Sequence, residues 1–179
     1  SKISSLDDLE SISSLGFRGE ALPSIAAVAE VDIVTCAASE SVGTYLSLKD
    51  GITSWGSQGR AQGTTITVRN LFRKVPARLK FLKSPATENS RIAQVVSLYA
   101  LSFPEVRFTL FVDDRVVLRT PGSGRLIDSI IEVYGLEVAR NMLEIKDQGW
   151  EGGVSLPRVT GMVGSPSVSR SNRGYLNFF

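Results

Sequence analysis

Leu15-Gly16-Phe17-Arg18-Gly19-Glu20-Ala21-Leu22 sets two glycines in a turn directly ahead of a helix, which the spacing of Leu22, Ile25 and Val28 extends over residues 20–28 with those three side chains buried. A helix N-terminus carries unpaired N–H groups and the positive end of the helix dipole. Glycines there let the backbone approach an anion with no Cβ in the way, so the turn has the makings of a phosphate cradle, with Lys2 and Arg18 as neighbouring charge. An isolated Gly-x-x-Gly is more often an ordinary helix cap, and only its surroundings decide between the two. Glu20 is read as a partner of the helix dipole or of loop N–H groups rather than as a catalytic acid or base. For Arg18 two roles stand side by side: a phosphate contact, or a brace of the turn through a carboxylate.

Upstream, Ser5-Leu6-Asp7-Asp8-Leu9-Glu10 has the form of an N-cap and first helical turn, with Leu6, Leu9 and Ile12 on one side. A chain that opens so far into an element is expected to be part of a longer protein. Downstream, residues 31–36 and 44–48 read as strands, the second leading into Asp50-Gly51, a dipeptide favoured in two-residue hairpin turns. Residues 64–71 read as a strand with Ile66, Val68 and Leu71 on a buried face. A long helix follows, capped by Thr87 and stopped by Pro104, with Ile92, Val95, Val96, Tyr99 and Phe103 at helical spacing. Phe108, Leu110 and Val112 alternate into Asp113-Asp114 and out through Val116 and Leu118, a second hairpin. Residues 125–134 form another helix, ended by a left-handed Gly135, with one more turn at 137–142. Strands at 143–145, 153–163 and 175–179 complete a mixed sheet with helices on one face, and the serine-rich residues 165–172 read as a flexible loop.

The 179 residues are 42% hydrophobic and 21% charged, the balance of a globular protein, and no apolar run reaches the roughly 20 residues that span a bilayer. A cytosolic or nuclear setting is the default expectation, with no leader at the start. Cys36 is the only cysteine and histidine is absent, which excludes an internal disulfide, a Cys/His zinc site and imidazole catalysis within these residues. The net charge of +2 conceals an uneven distribution. Residues 60–83 hold Arg60, Arg69, Arg73, Lys74, Arg78, Lys80 and Lys83 and no acid, whereas residues 1–30 hold five acids against Lys2 and Arg18. Such a basic block suits an anionic partner or a solvated face, and composition does not choose. Arg78 is assigned a structural role, with Phe72, Leu79 and Phe81 as hydrophobic anchors.

The wider pattern decides the glycine turn. Ser1-Lys2-Ile3, Leu6-Asp7-Asp8-Leu9-Glu10 and Leu15 through Leu22 together resemble the ATP lid of the MutL family of mismatch-repair proteins. Gln62-Gly63-Thr64-Thr65-Ile66-Thr67-Val68, Asn70-Leu71-Phe72 and Pro76-Ala77-Arg78-Leu79-Lys80-Phe81-Leu82 resemble that family's third nucleotide motif and the junction after it. Similarity continues more weakly to Arg173-Gly174-Tyr175-Leu176-Asn177-Phe178-Phe179. The resemblance implies an α+β chain: part of a GHKL (Bergerat) ATPase sandwich over residues 1–75, then a ribosomal S5 domain 2-like transducer over 76–179, truncated at its C-terminal end. It implies ATP and Mg2+ as cofactors of the parent protein, with Lys2, Gly16, Arg18, Gly19, Ala21 and Leu22 around the phosphates and Thr64 near the adenine. The family's helix bearing a glutamate base and a magnesium-binding asparagine is expected before Ser1, and its transducer lysine after Phe179. No catalytic residue or metal ligand is therefore expected here, and the fragment alone is not expected to hydrolyse ATP. Arg158, Arg170 and Arg173 read either as a DNA-facing edge or as a solvated loop. Expected partners are DNA, a MutS-type mismatch sensor and a second copy in a homodimer, with no membrane. The setting would be the bacterial cytoplasm, or the nucleus in a eukaryote. The rival expectation is a stand-alone nucleic-acid-binding S5-like module with no nucleotide role.

Overall fold

The computed structural model describes residues 15, 16, 18–146, 158–169 and 173–179. The helix expected around Leu6, Leu9 and Ile12, together with Lys2, Phe17, Arg170 and the start of the strand expected at 153–163, lies outside them. The chain divides into two compact units, Ser1–Leu82 and Lys83–Phe179, so the short helix Pro76–Leu79 belongs with the first.

In the first unit helix α1 (Ala21–Ala26) leads into a four-stranded antiparallel sheet: β1 (Glu30–Cys36), β2 (Gly43–Lys49), β3 (Ile52–Gln58) and β4 (Gly63–Arg69), in the order β3-β2-β1-β4. The turn between β2 and β3 places Asp50 and Gly51 both at positive φ (54° and 79°), which is why that dipeptide is favoured there. Register divides the side chains into two faces. Val31, Ile33 and Thr35 of β1 lie opposite Val68, Ile66 and Thr64 of β4 and opposite Leu48, Leu46 and Thr44 of β2, which makes one face mainly apolar. Glu30, Asp32 and Val34 share the other face with Arg69, Thr67 and Thr65, and with Lys49, Ser47 and Tyr45.

Two burial expectations are corrected. Ile66, Val68 and Leu71 are half exposed, and Leu22 is exposed too, whereas Val31 beneath α1 is buried. Among the described residues β4 is an edge strand, and α1 lies against β1 rather than against β4. Apolar alternation thus reports which face is amphipathic and not what covers it.

After α2 (Pro76–Leu79), the second unit opens with helix α3 (Pro85–Ser102). It starts earlier than Thr87 because Ser84 is the cap: the Thr87 amide donates to Ser84 Oγ (3.3 Å), Pro85 takes the first helical position, and Glu88 accepts from the Lys83 amide (2.9 Å). Strands β5 (Thr109–Val112) and β6 (Arg115–Arg119) form the expected hairpin, with Asp113 and Asp114 at φ 48° and 62° and a bulge beside Leu110 and Phe111. Helices α4 (Leu126–Tyr134) and α5 (Leu136–Arg140) flank Gly135, whose φ of 89° and ψ of 159° is an extended mirror-image conformation rather than the left-handed helical one expected. β7 (Met142–Ile145) then pairs with β8 (Gly161–Gly164). Leu101, Ile130 and Ala139 form the core, packed by Leu126, Ile127, Ile131, Met142 and Met162.

The expected mixed sheet is not found: among the described residues there are two separate two-stranded ladders, β5-β6 and β7-β8. Residues 175–179 are not a strand. Arg173–Tyr175 is a 3-10 turn, Tyr175 packs on the Tyr134 ring at 5.3 Å, and Asn177 donates to the Tyr134 hydroxyl (2.9 Å), so side-chain packing rather than a ladder fixes this end. Burial raises the Tyr134 hydroxyl above its ordinary pKa. The serine-rich loop is tied down in its described part, where the Ser165 amide donates to Asn141 O (2.8 Å) and Pro166–Val168 makes a 3-10 turn.

Candidate functional site

In the turn ahead of α1 Gly19 sits at φ +68°, a conformation that L side chains rarely adopt, and among the described residues a Cβ built on Gly16 or Gly19 would meet no atom within 4 Å. Glu20 is the N-cap residue, but its carboxylate makes no capping hydrogen bond. Within the helix the Ser24 amide already donates to Glu20 O (3.0 Å) and Pro23 has no amide hydrogen, which leaves the N–H groups of Ala21 and Leu22 as the first-turn donors that α1 does not use. Arg18 is exposed beside them.

Thr64 stands at the start of β4 on the apolar face, where its Oγ1 and that of Thr35 are 2.8 Å apart. Its neighbour Thr65 points to the opposite face and meets Arg60, which the sequence marks only as a member of the basic block. The Arg60 guanidinium donates to Val34 O, to Thr65 Oγ1 (3.2 Å) and to Ala61 O (2.9 Å), strapping the turn before Thr64 to β1. Gly43 makes room for the strap, since a Cβ there would come within 2.8 Å of Arg60 Cγ and 2.9 Å of the carbonyl oxygens of Thr35 and Gln58.

The basic block of residues 60–83 finds its acids at a distance in sequence. Arg69 pairs with Asp32, Arg73 and Lys49 lie 3.8 Å from Glu30, and Lys74 pairs with Asp50. Asp32 also accepts from Ser47 Oγ (2.6 Å), and these bonds, Ser47 foremost and then Arg69, hold its carboxyl below the usual range. The Lys74 ammonium does the same for exposed Asp50. Arg78 lies over the Phe72 ring, 5.9 Å from its centre. A cleft of about 190 Å³ at this end of the sheet is walled by Val28, Glu30, Asp50, Asn70, Arg73 and Lys74, so its charges are largely satisfied by one another.

In the second unit Arg158 is exposed on the approach to β8 and Arg173 begins the final 3-10 turn, while Arg170 lies outside the described residues. Among the described residues no cluster of three His, Cys, Asp or Glu is placed to hold a metal, and no helix is long and apolar enough to cross a membrane.

No family model matches the chain. Curated relatives match it end to end: it is 48% identical to the DNA mismatch repair protein MutL of Desulforudis audaxviator over 100% of the chain and 31% of that protein, and 45% identical to that of Streptococcus thermophilus over 98% of the chain and 27% of that protein. The chain thus spans less than a third of the length of these relatives. Among solved structures, the Aquifex aeolicus MutL ATPase domain complexed with ADP superposes with a TM-score of 0.64 at 28% identity, over 82% of this chain and 62% of that one. The α+β architecture described above is accordingly that of a partial GHKL ATPase fold. Identity at this level across the full length, together with a shared fold, leaves one conclusion: the chain belongs to the MutL family of DNA mismatch repair proteins.

Proposed function

We propose that the chain is the lid-bearing part of a DNA mismatch-repair ATPase, in which binding of ATP orders the glycine turn and passes nucleotide state to the unit that follows. The observation that carries this reading is the glycine turn, with Gly19 at positive φ, which precedes two helix amides, Ala21 and Leu22, that α1 leaves unused. Lys2, Gly16, Arg18, Gly19, Ala21 and Leu22 are assigned to the phosphates. Thr64, on the sheet face shared with Ile33 and Ile66, is assigned to the adenine side, where an apolar wall suits a base. Residues 1–75 are assigned to the ATPase sandwich and 76–179 to an S5-like transducer. Such a lid works as a disorder-to-order switch, which converts the presence of a γ-phosphate into a change of partner affinity.

Mg2+ accompanies ATP in this reading, and the described residues offer it no cluster of three His, Cys, Asp or Glu. Arg158, Arg170 and Arg173 are assigned to DNA contact, where they would position the backbone without reading sequence. A MutS-type sensor, a homodimeric parent and a bacterial cytoplasmic setting complete the proposal. Likeness to a MutL ATPase domain complexed with ADP supports it over a stand-alone nucleic-acid module. The test is ATP hydrolysis by the full-length protein: turnover is expected to fall on Lys2→Ala and on Gly19→Val, and undiminished turnover in both variants refutes the lid assignment.

A further inference from the structure

Most arginines whose contacts are described have a carboxylate or ring partner: Arg69, Arg73, Arg91, Arg125 and Arg140 are ion-paired and Arg78 lies on Phe72. The β5–β6 hairpin breaks this pattern. Among the described residues Arg115 and Arg119 make no ion pair, and Arg107 makes none either, donating to Pro121 O (3.3 Å). The nearest acids in sequence, Glu105 and the tip residues Asp113 and Asp114, form no ion pair with them.

The hairpin packs on α3 and α4 through one face, where Leu118 is buried opposite Leu110. Alternation then sends Thr109 and Phe111 to the other face, and Arg119, which lies opposite Thr109, goes with them, while Arg107 is exposed just before the strand begins. Phe111 is 58% exposed, and Val116 and the bulged Val117 beside it are 46% and 53% exposed. The bulge allows two neighbouring valines to stand outward together, which regular alternation forbids. The result is one strip with an exposed aromatic ring, two small apolar side chains and two cations without carboxylate partners, Arg119 being one two-residue repeat, about 7 Å, from the ring along the strand direction.

We infer that this outer face of the hairpin binds single-stranded DNA, with Phe111 stacking on a base and Arg119 and Arg107 taking successive phosphates on one side of it. Charge selects a polyanion, and an exposed ring at the end of a row of cations selects unstacked bases over a duplex, whose bases offer no free face. The inference rests on the reading of this protein as one that handles DNA, and it places contacts on residues distinct from Arg158, Arg170 and Arg173.

The experiment is fluorescence anisotropy of labelled oligo-dT, and of a duplex of equal length, with the full-length protein at several salt concentrations. Phe111→Ala is expected to weaken oligo-dT binding by about tenfold with the salt slope unchanged. The double variant Arg107→Gln with Arg119→Gln is expected to lower the slope of log K against log salt by about 1.4, two charges at about 0.7 each. Circular dichroism and ATP turnover in the same variants report whether the fold is intact; the Phe111 and Arg119 side chains are exposed, and their loss should leave both unchanged. Wild-type affinity and slope in both variants overturn the assignment while leaving the DNA reading standing. Equal losses on duplex and single strand overturn the stacking role, a change in self-association with DNA affinity preserved makes the face a protein interface instead, and absence of DNA binding by the wild type overturns both readings.

Discussion

Replacing Gly19 by alanine separates what the glycine turn does for binding from what it does for folding. At φ +68° an alanine costs about 1–2 kcal/mol relative to its preferred conformations, which is a factor of about 5–30 in the population of the native turn. Among the described residues the added methyl meets no atom within 4 Å, so none of them adds a steric cost to the conformational one or carries the strain into the sheet, and the penalty falls on the turn. The affinity of the full-length protein for a fluorescent ATP analogue is expected to drop about 5–30-fold while the urea midpoint stays at its wild-type value. Gly19→Asn should lose less, because asparagine visits left-handed backbone more readily. Gly16→Ala, at a residue that is not at positive φ, should lose least. Wild-type affinity in Gly19→Ala, or an equal loss in Gly16→Ala, refutes the reasoning, and a lowered urea midpoint would show that the turn is coupled to the sheet after all.

Asp32 should make stability depend on pH. Because its folded pKa lies below the ordinary value of 3.8, its stabilising contribution is present above that pH and is lost as pH falls through the folded pKa; the gap between wild type and Asp32→Asn, about 1 kcal/mol at neutral pH, should close in acid urea titrations, and a gap that persists at the acid end refutes this. Ser129 is 1% exposed and its hydroxyl has no partner, so Ser129→Ala should raise the urea midpoint by the equivalent of about 1 kcal/mol, and a clear loss of stability would mean that the hydroxyl is hydrogen-bonded in solution.

What was legible in the sequence is what local residues encode. Asp50-Gly51 and Asp113-Asp114 announced both hairpins because positive φ at two successive residues is a local demand that few residue types meet. The apolar spacing of Leu126, Ile127, Ile130 and Ile131 announced α4 because one helical face must be buried for so short a helix to persist. The start of α3 was misjudged because Thr87 and Ser84 are both capping residues, and Pro85 decides for Ser84 only once its place at the first helical position is known. The half exposure of Leu22, Ile66 and Val68 could not be read, since periodicity names a face without naming its cover. Of the candidate site, the glycine turn and Thr64 were visible as motif residues. The Arg60 strap was not, because it joins Arg60 to Val34 O across 26 residues of chain and leaves no periodic mark. The same holds for the basic block, where composition left an anionic partner and a solvated face equally open, and where Glu30, Asp32 and Asp50 pair with Arg73, Arg69 and Lys74.

The adjacent threonines of β4 carry a warning for anyone mapping this site by mutation. A slip of one residue between β1 and β4 would bring Thr65 to the position of Thr64, and a ligand would meet the same hydroxyl and methyl as before. The threonine pair is therefore indifferent to alignment, and the work of holding the strand in place falls to side chains further along: Ile66 and Val68, which would trade sides with Thr67 and Arg69, and the Asp32–Arg69 pair, which would be broken. Substitutions at those positions can tilt the apolar face proposed for the base without touching anything bound to it. A screen for lost nucleotide binding would recover them alongside true contacts, and only the position of each residue on the sheet tells the two kinds apart.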